Sequence, residues 1–160
     1  MPYETCFKVN PPLRTAEDAQ AIIEGVLDGS VDAIVTDHAP HADWEKAREF
    51  ELAPFGMIGI EASLALINTN LVKTGKMGYG KLVELMSINP RKILGVEPVS
   101  IEAGSLADIT VFDADVEWTV GEDGYVSHAK NCGFAGTKVT GRATDVFVGG
   151  KQTLKNGAIC

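Results

Sequence analysis

Cysteine is scarce in this chain, and its three copies form no metal-binding or disulfide pattern. Cys6, Cys132 and Cys160 lie far apart, and none belongs to a Cys-x-x-Cys pair. An odd number of widely spaced cysteines argues against a disulfide framework and against a cysteine zinc site. Free thiols in a reducing cytoplasm are the simplest interpretation, so we expect a cytoplasmic protein.

Long apolar runs and basic clusters are also missing. No apolar stretch reaches the roughly 18 residues of a membrane-spanning helix, so no membrane partner is expected. The chain has 14 basic and 22 acidic residues, which gives a formal net charge of −8. Because phosphate binding needs clustered lysine and arginine, this balance argues against a nucleic-acid partner.

The 160 residues suit one ordinary domain or one lobe of a larger one, and 45% of them are apolar, which is enough for a buried core. A helix is predicted after a loop over residues 1–14. Thr15 is a good N-cap, acidic residues follow it in the first turn, and Gly29 provides a stop. Apolar residues at helical spacing fall on one face of this helix: Ala19, Ile22, Ile23, Val26 and Leu27.

The remaining elements divide the chain into an α/β part, 1–95, and a β part, 96–160. Residues 33–36 are predicted to form a short buried parallel strand, because a short apolar run follows a helix directly. A long loop over 42–59 precedes helices over 60–72 and 79–86 and a helical turn over 90–94. Strands are predicted over 109–112, 116–120, 139–140, 143–148 and 152–154, with Gly149-Gly150 as a hairpin turn.

An acid and two histidines follow the predicted strand in the sequence Thr36-Asp37-His38-Ala39-Pro40-His41. In parallel α/β barrels the active site is built at the C-terminal ends of the strands. A carboxylate there can bind zinc or move a proton at a metal site. The alternative is that Asp37 caps the next turn and the histidines lie on the surface. Spacing alone leaves both interpretations open.

The three histidines differ in what they are expected to do. His38 is next to Asp37 on the chain, so its side chain should point elsewhere, which favours a packed, hydrogen-bonded histidine over a ligand. His41 lies further out, where it could meet a substrate anion. His128 is interpreted as a surface residue, and the loop acids Asp43 and Glu45 as solvated.

Two further segments could contribute to a site. Asn10 precedes two prolines, so its amide would be a preorganised hydrogen-bonding group, with an ordinary N-cap or turn asparagine as the alternative. Phe55-Gly56-Met57-Ile58-Gly59 places two glycines before a helix. Backbone can approach a ligand closely there, and the N–H groups of a helix start favour anions.

The segments 10–14 (NPPLR), 36–41 (TDHAPH) and 55–61 (FGMIGIE), in this order and at these spacings, resemble the C-terminal half of class I dihydroorotases. Near the end, 103–109 and 141–151 resemble the composite β domain of the wider amidohydrolase superfamily. The resemblance implies an α/β fold, the C-terminal portion of a TIM-barrel metal-dependent hydrolase followed by part of a small β composite domain.

By that resemblance, the parent enzyme would reversibly cyclise N-carbamoyl-L-aspartate to L-dihydroorotate in pyrimidine synthesis. Asp37 would be a zinc ligand and the catalytic acid/base. Asn10 and His41 would contact the substrate, as would Phe55 and Gly56, chiefly through their backbone.

The chain departs from the family in one large respect. The family supplies more zinc ligands from earlier strands, including a His-x-His pair, and no His-x-His occurs here. A full eight-stranded barrel needs about 200–250 residues, of which about 95 precede the predicted β part. We therefore expect a fragment, inactive alone, whose exposed strand edge and apolar helix faces favour a homo-oligomer.

Two alternatives stay open. A fragment of a hydantoinase or allantoinase would share the superfamily features, although the pairing of NPPLR with DHAPH counts against it. A non-catalytic dihydroorotase-like scaffold for aspartate carbamoyltransferase is the other. Intact Asp37 and His41 argue against the scaffold, because a scaffold has no need of them.

Overall fold

The computed structural model describes residues 3–160, and the chain divides into two compact units whose segments alternate along the sequence. Unit 1 contains Met1–Val31, Val35–Leu64 and Trp118–Lys138, and unit 2 contains Asp32–Ile34, Ala65–Glu117 and Val139–Cys160. The first two residues of the predicted N-terminal loop, Met1 and Pro2, lie outside the described residues.

Helix α1 (Ala16–Asp28) of unit 1 begins and ends where the sequence predicts. Thr15 and Asp18 form a capping box, in which each side chain accepts a hydrogen bond from the other residue's backbone N–H. Gly29, with a φ of 91°, ends the helix in the left-handed conformation. The apolar face is only partly covered, since Val26 is buried whereas Ile22 is 63% exposed.

Unit 1 also contains a 3-10 turn over Thr5–Phe7, the short helix α2 (Asp43–Lys46) and the start of helix α3 (Ile60–Ile67). Its core consists of small and medium apolar side chains, which are Val26, Ala53, Ile58, Ala62, Val120, Ala129 and Cys132. The long loop between α2 and α3 runs over this core, and the candidate site is built around that loop.

The predicted buried strand over 33–36 is wrong for the described chain, in which these residues join no strand ladder. The Ile34 N–H donates 3.0 Å to the carbonyl oxygen of Leu85, a residue in a helical stretch of the same unit. Val35 is 77% exposed. An apolar run becomes a strand only where a neighbouring strand offers hydrogen-bond partners, which its own composition cannot reveal.

The predicted helices over 60–72, 79–86 and 90–94 are confirmed. Helix α3 continues as a π-helical stretch over Asn68–Val72. Helix α4 (Tyr79–Val83) continues through a π-helical stretch (Glu84–Ile88) into α5 (Asn89–Leu94). Within residues 3–160, no helix combines the length and the apolar character needed to cross a bilayer.

A four-stranded sheet follows, with the strands in the order β1 (Ile109–Thr119), β2 (Lys138–Val148), β3 (Lys151–Lys155) and β4 (Ala158–Ile159). The predicted hairpin is confirmed, because β2 and β3 pair antiparallel with Val148 opposite Lys151. Gly149 and Gly150 form the two-residue turn with φ values of 57° and 80°, as a type I′ turn requires.

Two pairs of predicted strands prove to be single strands, since 109–112 joins 116–120 in β1 and 139–140 joins 143–148 in β2. Gly141 interrupts the apolar pattern of β2 without ending the strand. Its φ is 104°, and a Cβ there would lie 2.4 Å from the Phe112 ring and 2.8 Å from Asn68 Nδ2. Glycine is therefore needed at position 141, because the Phe112 ring and the Asn68 side chain approach its backbone closely. In the sequence pattern alone, this glycine looks like a break between two strands.

Candidate functional site

Asp37 stands where the chain turns toward the histidine-containing loop. Its φ of 42° lies in the left-handed region, which aspartate and asparagine adopt more readily than most residues. The residue is exposed, and its carboxylate has no hydrogen-bond or ion-pair partner within residues 3–160. The capping alternative for Asp37 is thus not realised in the described structure, and the carboxylate is available to a ligand.

His38 takes the capping role instead. Its Nδ1 accepts hydrogen bonds from the N–H groups of Gly59 at 3.2 Å and Ile60 at 3.4 Å, at the start of α3. An acceptor Nδ1 carries no proton, so this arrangement requires the proton of the neutral ring on Nε2. The prediction of a packed, hydrogen-bonded histidine is confirmed.

His41 lies against the loop that precedes α3. Its Nε2 is 2.8 Å from the Phe55 carbonyl oxygen, to which it must donate, and its Nδ1 is 3.7 Å from Glu45 Oε2. The structure therefore brings three predicted site residues together, His41, Phe55 and Gly56. The ring orientation is set on one side by a carbonyl and on the other by a carboxylate.

The two loop acids behave differently from each other. Asp43 is exposed, as predicted, but Glu45 is half-buried and its Oε2 accepts a hydrogen bond from the Ala42 N–H at 2.8 Å. The Glu45 side chain is 34% exposed, so its carboxylate reaches solvent, as predicted, and is hydrogen-bonded as well. Glu45 lies one helical turn after His41, so one carboxylate can both cap α2 and face the imidazole.

An open cleft of about 610 Å³ lies beside His41 and is lined by segments 40–43 and 126–129. Glu61 anchors the second segment, because its carboxylate accepts hydrogen bonds from the N–H groups of Val126 at 3.0 Å and Ser127 at 2.9 Å. His128 is exposed, as predicted for a surface residue, and belongs to the cleft lining.

Two buried lysines hold the loop that carries Phe55 and Gly56. Lys8 Nζ donates to the carbonyl oxygens of Phe50, Glu51 and Ala53 at 2.7, 3.0 and 2.7 Å. Lys46 Nζ donates to the carbonyl oxygens of Pro54 at 2.9 Å and Gly56 at 3.0 Å. Sequence reasoning missed both, because a lysine that bonds backbone carbonyls has the same local pattern as a solvated one.

The two ammonium groups also shape the electrostatics of the loop. Both residues are 8% exposed. Burial is the main cause that lowers the pKa of Lys46 from its ordinary value of 10.5, and the nearby Lys8 charge lowers it further. Lys8 also lies 4.7 Å from the centroid of the Phe55 ring. Five backbone carbonyls of one loop thus face two cationic donors, which holds the loop in a single shape.

Gly56 is the tightest point of this loop. Its φ is 126°, and a Cβ there would lie 2.6 Å from Ala39 Cβ and 3.1 Å from His41 Nε2. We expect Gly56→Ala to lower the free energy of unfolding by about 2–4 kcal/mol, through backbone strain and overpacking. Urea denaturation measures this change.

Gly80→Ala is the matched control for Gly56→Ala. Gly80 lies in α4, and a Cβ there meets nothing within 4 Å. This variant should raise the free energy of unfolding by about 0.5–1 kcal/mol, because alanine restricts the unfolded chain. Equal effects of the two substitutions would refute the proposed contact of Gly56 with the His41 loop.

Asn131 is a buried residue that sequence reasoning missed, and it contacts both site segments. Its Oδ1 accepts from the His41 N–H at 3.1 Å, and its Nδ2 donates to the carbonyl oxygens of Ala39 and Gly56 at 3.1 and 3.2 Å. Asn131 is 90 positions from His41 in the sequence, so no local pattern indicates the contact.

No hydrogen bond or ion pair within residues 3–160 joins Asn10 to the other site residues. Asn10 is exposed, and its amide has no hydrogen-bond partner there. Phe55 is 56% exposed, so its ring is open to solvent while its carbonyl is engaged by His41. Asn10 and Asp37 therefore share one property, a polar side chain left free for a ligand.

The described residues do not hold a metal ion by themselves. In residues 3–160, no three histidine, cysteine, aspartate or glutamate side chains come together as a metal-binding group. A catalytic zinc normally has three protein ligands. The oxygen donors of Asp37 suit zinc in kind, but one carboxylate does not suffice in number.

A family model for the amidohydrolase family matches residues 7–153. The chain is 47% identical over 153 residues to a dihydroorotase from Geobacter metallireducens and 46% identical over 153 residues to one from Thermoanaerobacter sp.. Each match covers 96% of this chain, and 36% and 35% of the two relatives. The chain thus spans little more than a third of the length of these relatives.

Solved structures of related enzymes have the same fold over nearly the whole chain. An L-hydantoinase from Arthrobacter aurescens gives a TM-score of 0.91 at 30% identity, covering 99% of this chain and 36% of that one. A D-hydantoinase from Thermus sp. gives a TM-score of 0.87 at 26% identity, covering 98% and 35%. The predicted α/β class is confirmed, and the chain belongs to the amidohydrolase family.

Proposed function

We propose that this chain forms part of a dihydroorotase, the cyclic amide hydrolase that interconverts N-carbamoyl-L-aspartate and L-dihydroorotate. The observation that carries the proposal is 46–47% identity to two dihydroorotases over 96% of the chain. Identity to the two hydantoinases of known structure is lower, 26–30% over 98–99% of the chain. The hydantoinases share the fold, whereas the higher identity favours the dihydroorotase reaction.

Asp37 is proposed as the catalytic acid/base and as one ligand of a zinc ion. Zinc, when bound, would act as a Lewis acid on the amide carbonyl. A carboxylate without a protein partner can accept the proton of the attacking water and pass it to the leaving nitrogen. The further ligands would come from the part of the relatives' length that this chain does not span.

Asn10, His41, Phe55 and Gly56 are proposed to bind the substrate. His41 lines the open cleft, and its ring is held by the Phe55 carbonyl and by Glu45, which supports a role in substrate binding. The exposed amide of Asn10 supplies both a donor and an acceptor for the polar groups of the ring.

The architectural parts are proposed as the resemblance implies. Residues 1–95 would be the C-terminal part of the barrel, and 96–160 a strand segment of the composite domain. The homo-oligomer and an association with aspartate carbamoyltransferase stay predictions.

A chimera tests the proposed activity. In the Geobacter metallireducens dihydroorotase, the portion that aligns with this chain is replaced by residues 1–160. We expect the chimera to interconvert L-dihydroorotate and N-carbamoyl-L-aspartate and to leave hydantoins intact. Hydrolysis of a hydantoin without conversion of L-dihydroorotate would favour the hydantoinase alternative. A folded chimera inactive on both substrates, beside an active parent relative, would refute the proposal.

In the chimera, His41→Ala should mainly weaken substrate binding. Losing a hydrogen bond to a charged group costs about 1.5–3 kcal/mol, so KM should rise about 10-fold to 100-fold. His128→Ala is the control, because His128 is an exposed histidine that lines the same cleft. Steady-state kinetics measure both variants. A KM for His41→Ala equal to that of the His128→Ala control would remove His41 from the substrate site.

A further inference from the structure

We propose that Asn131 is a positioning residue that locks the His41 loop and the Phe55-Gly56 segment into one geometry. The effect on catalysis rests on the proposed function. The link between the two segments, called the lock below, consists of the hydrogen bonds of the Asn131 side chain. Asn131 is 7% exposed. All its side-chain hydrogen bonds go to the backbone of the two segments that carry proposed substrate-binding residues.

The contacts require the chemistry of an amide. The His41 N–H at 3.1 Å needs an acceptor, and the carbonyl oxygens of Ala39 and Gly56 need donors. An asparagine side chain offers one carbonyl oxygen and two N–H donors, which matches this demand. Aspartate has the same shape but no donor, so its carboxylate would face two carbonyl oxygens.

The side chain closes a ring of contacts through the site. Asn131 bonds the His41 backbone, the His41 ring bonds the Phe55 carbonyl at 2.8 Å, and the next residue, Gly56, bonds Asn131 again. The backbone carbonyl oxygen of Asn131 also accepts a hydrogen bond from the Ile58 N–H at 3.0 Å. The direction in which the His41 ring points is therefore tied to the Asn131 amide.

Removing the amide would leave the His41 N–H and the Ala39 carbonyl oxygen without this partner, whereas the Gly56 carbonyl oxygen would keep Lys46 Nζ at 3.0 Å. The direct backbone link between the two segments is the hydrogen bond from the Ala39 N–H to the Met57 carbonyl at 2.9 Å, within their parallel bridge. That link holds the start of the His41 loop, and the Lys46 bonds to the carbonyl oxygens of Pro54 and Gly56 hold the helix that follows it. Between these two points, Asn131 is the side chain that bonds the His41 backbone. In a site that depends on geometry, a displacement of about 1 Å can lower activity about 100-fold.

Asn68 is a matched control within the same chain. It is 0% exposed, its Nδ2 donates to the carbonyl oxygens of Ala114 at 3.1 Å and Thr140 at 2.7 Å, and its Oδ1 accepts from the Tyr79 hydroxyl. Like Asn131, it therefore donates two hydrogen bonds to carbonyl oxygens and accepts one. None of its partners is a proposed site residue.

The test compares Asn131→Asp with Asn68→Asp in the 160-residue chain by NMR. The ¹⁵N shifts of the His41 ring report whether the proton stays on Nε2, and exchange of the His41 amide reports its bond to Oδ1. In Asn131→Asp the carboxylate should turn away from the carbonyl oxygens of Ala39 and Gly56 and so lose the His41 N–H as well. We therefore expect a mixture of ring tautomers or a mobile ring, and exchange of the His41 amide at least about tenfold faster. Asn68→Asp should leave both signals unchanged, even if it lowers the free energy of unfolding.

Two results would overturn the proposal: an unchanged His41 ring signature in Asn131→Asp, or an equal change in Asn68→Asp. If Asn131→Asp fails to fold, the unmodified chain decides the matter. Slow exchange of the Asn131 side-chain amide and of the His41 N–H supports the lock, and fast exchange of either refutes it.

Activity in the chimera separates this inference from the proposed function. Asn131→Asp should lower kcat/KM about 100-fold, and Asn68→Asp should leave kcat/KM near that of the unmodified chimera at a temperature where all are folded. An inactive chimera whose chain still shows the His41 signature would refute the proposed function and retain the lock. An active chimera that is unaffected by Asn131→Asp would refute the catalytic importance of the lock.

Discussion

The 160-residue chain by itself is expected to convert neither L-dihydroorotate nor N-carbamoyl-L-aspartate, with or without added zinc. Residues 3–160 bring no three metal-binding side chains together, and Asp37 alone offers one carboxylate. A catalytic zinc normally needs three protein ligands, so the metal would not be held in a reactive geometry. The residual rate is measured at high protein concentration, with the product quantified by chromatography over several hours.

Asp37→Ala is the control for this expectation, because it removes the carboxylate and leaves the rest of the chain. Equal background rates for the two proteins are expected. Zinc-dependent hydrolysis by the unmodified chain above the rate of Asp37→Ala would contradict the expectation, and would mean that the chain assembles a metal site from residues that do not meet in this structure.

Asp37→Asn in the chimera is expected to abolish the chemical step. An amide cannot accept a proton as a carboxylate does, and positioned proton transfer contributes about 10²–10⁴-fold to a rate. Folding should not suffer, because asparagine tolerates the left-handed backbone that Asp37 adopts at a φ of 42°. We expect kcat to fall, while the thermal midpoint of unfolding stays constant; both are measured.

Asp43→Asn provides the matched comparison. Asp43 is an exposed aspartate of the same loop region, and it has no proposed role in the reaction. It should keep the activity of the unmodified chimera. An Asp37→Asn chimera with a kcat close to that of Asp43→Asn would show that the Asp37 carboxylate does not move the proton.

Features that depend on neighbours in the chain were predictable from the sequence. The capping box of Thr15 and Asp18 and the stop at Gly29 set the ends of α1, because cap residues act within a few positions of the helix end. The Gly149-Gly150 turn set the β2–β3 hairpin for the same reason. The motifs around Asn10, Asp37 and Phe55 led to the amidohydrolase family, whose model matches residues 7–153.

The tertiary structure decided which side chains hold the site together. His38 caps α3 from 21 positions away, and Lys8 bonds carbonyls 42 to 45 positions away. Asn131 reaches the His41 loop across 90 positions. A buried polar side chain is chosen by the partners that surround it after folding, and those partners leave no trace in the local pattern.

The same reasoning accounts for the wrong strand over 33–36 and for the long strand β2. Backbone hydrogen bonds make a strand, and their partners lie elsewhere in the chain, so apolar composition predicts burial better than pairing. Local sequence thus determined the helix ends, the hairpin turn and the family motifs. Long-range contacts alone decided the strand pairing, the role of Gly141 and the hydrogen bonds that orient His41, because each depends on groups that meet only when the chain folds.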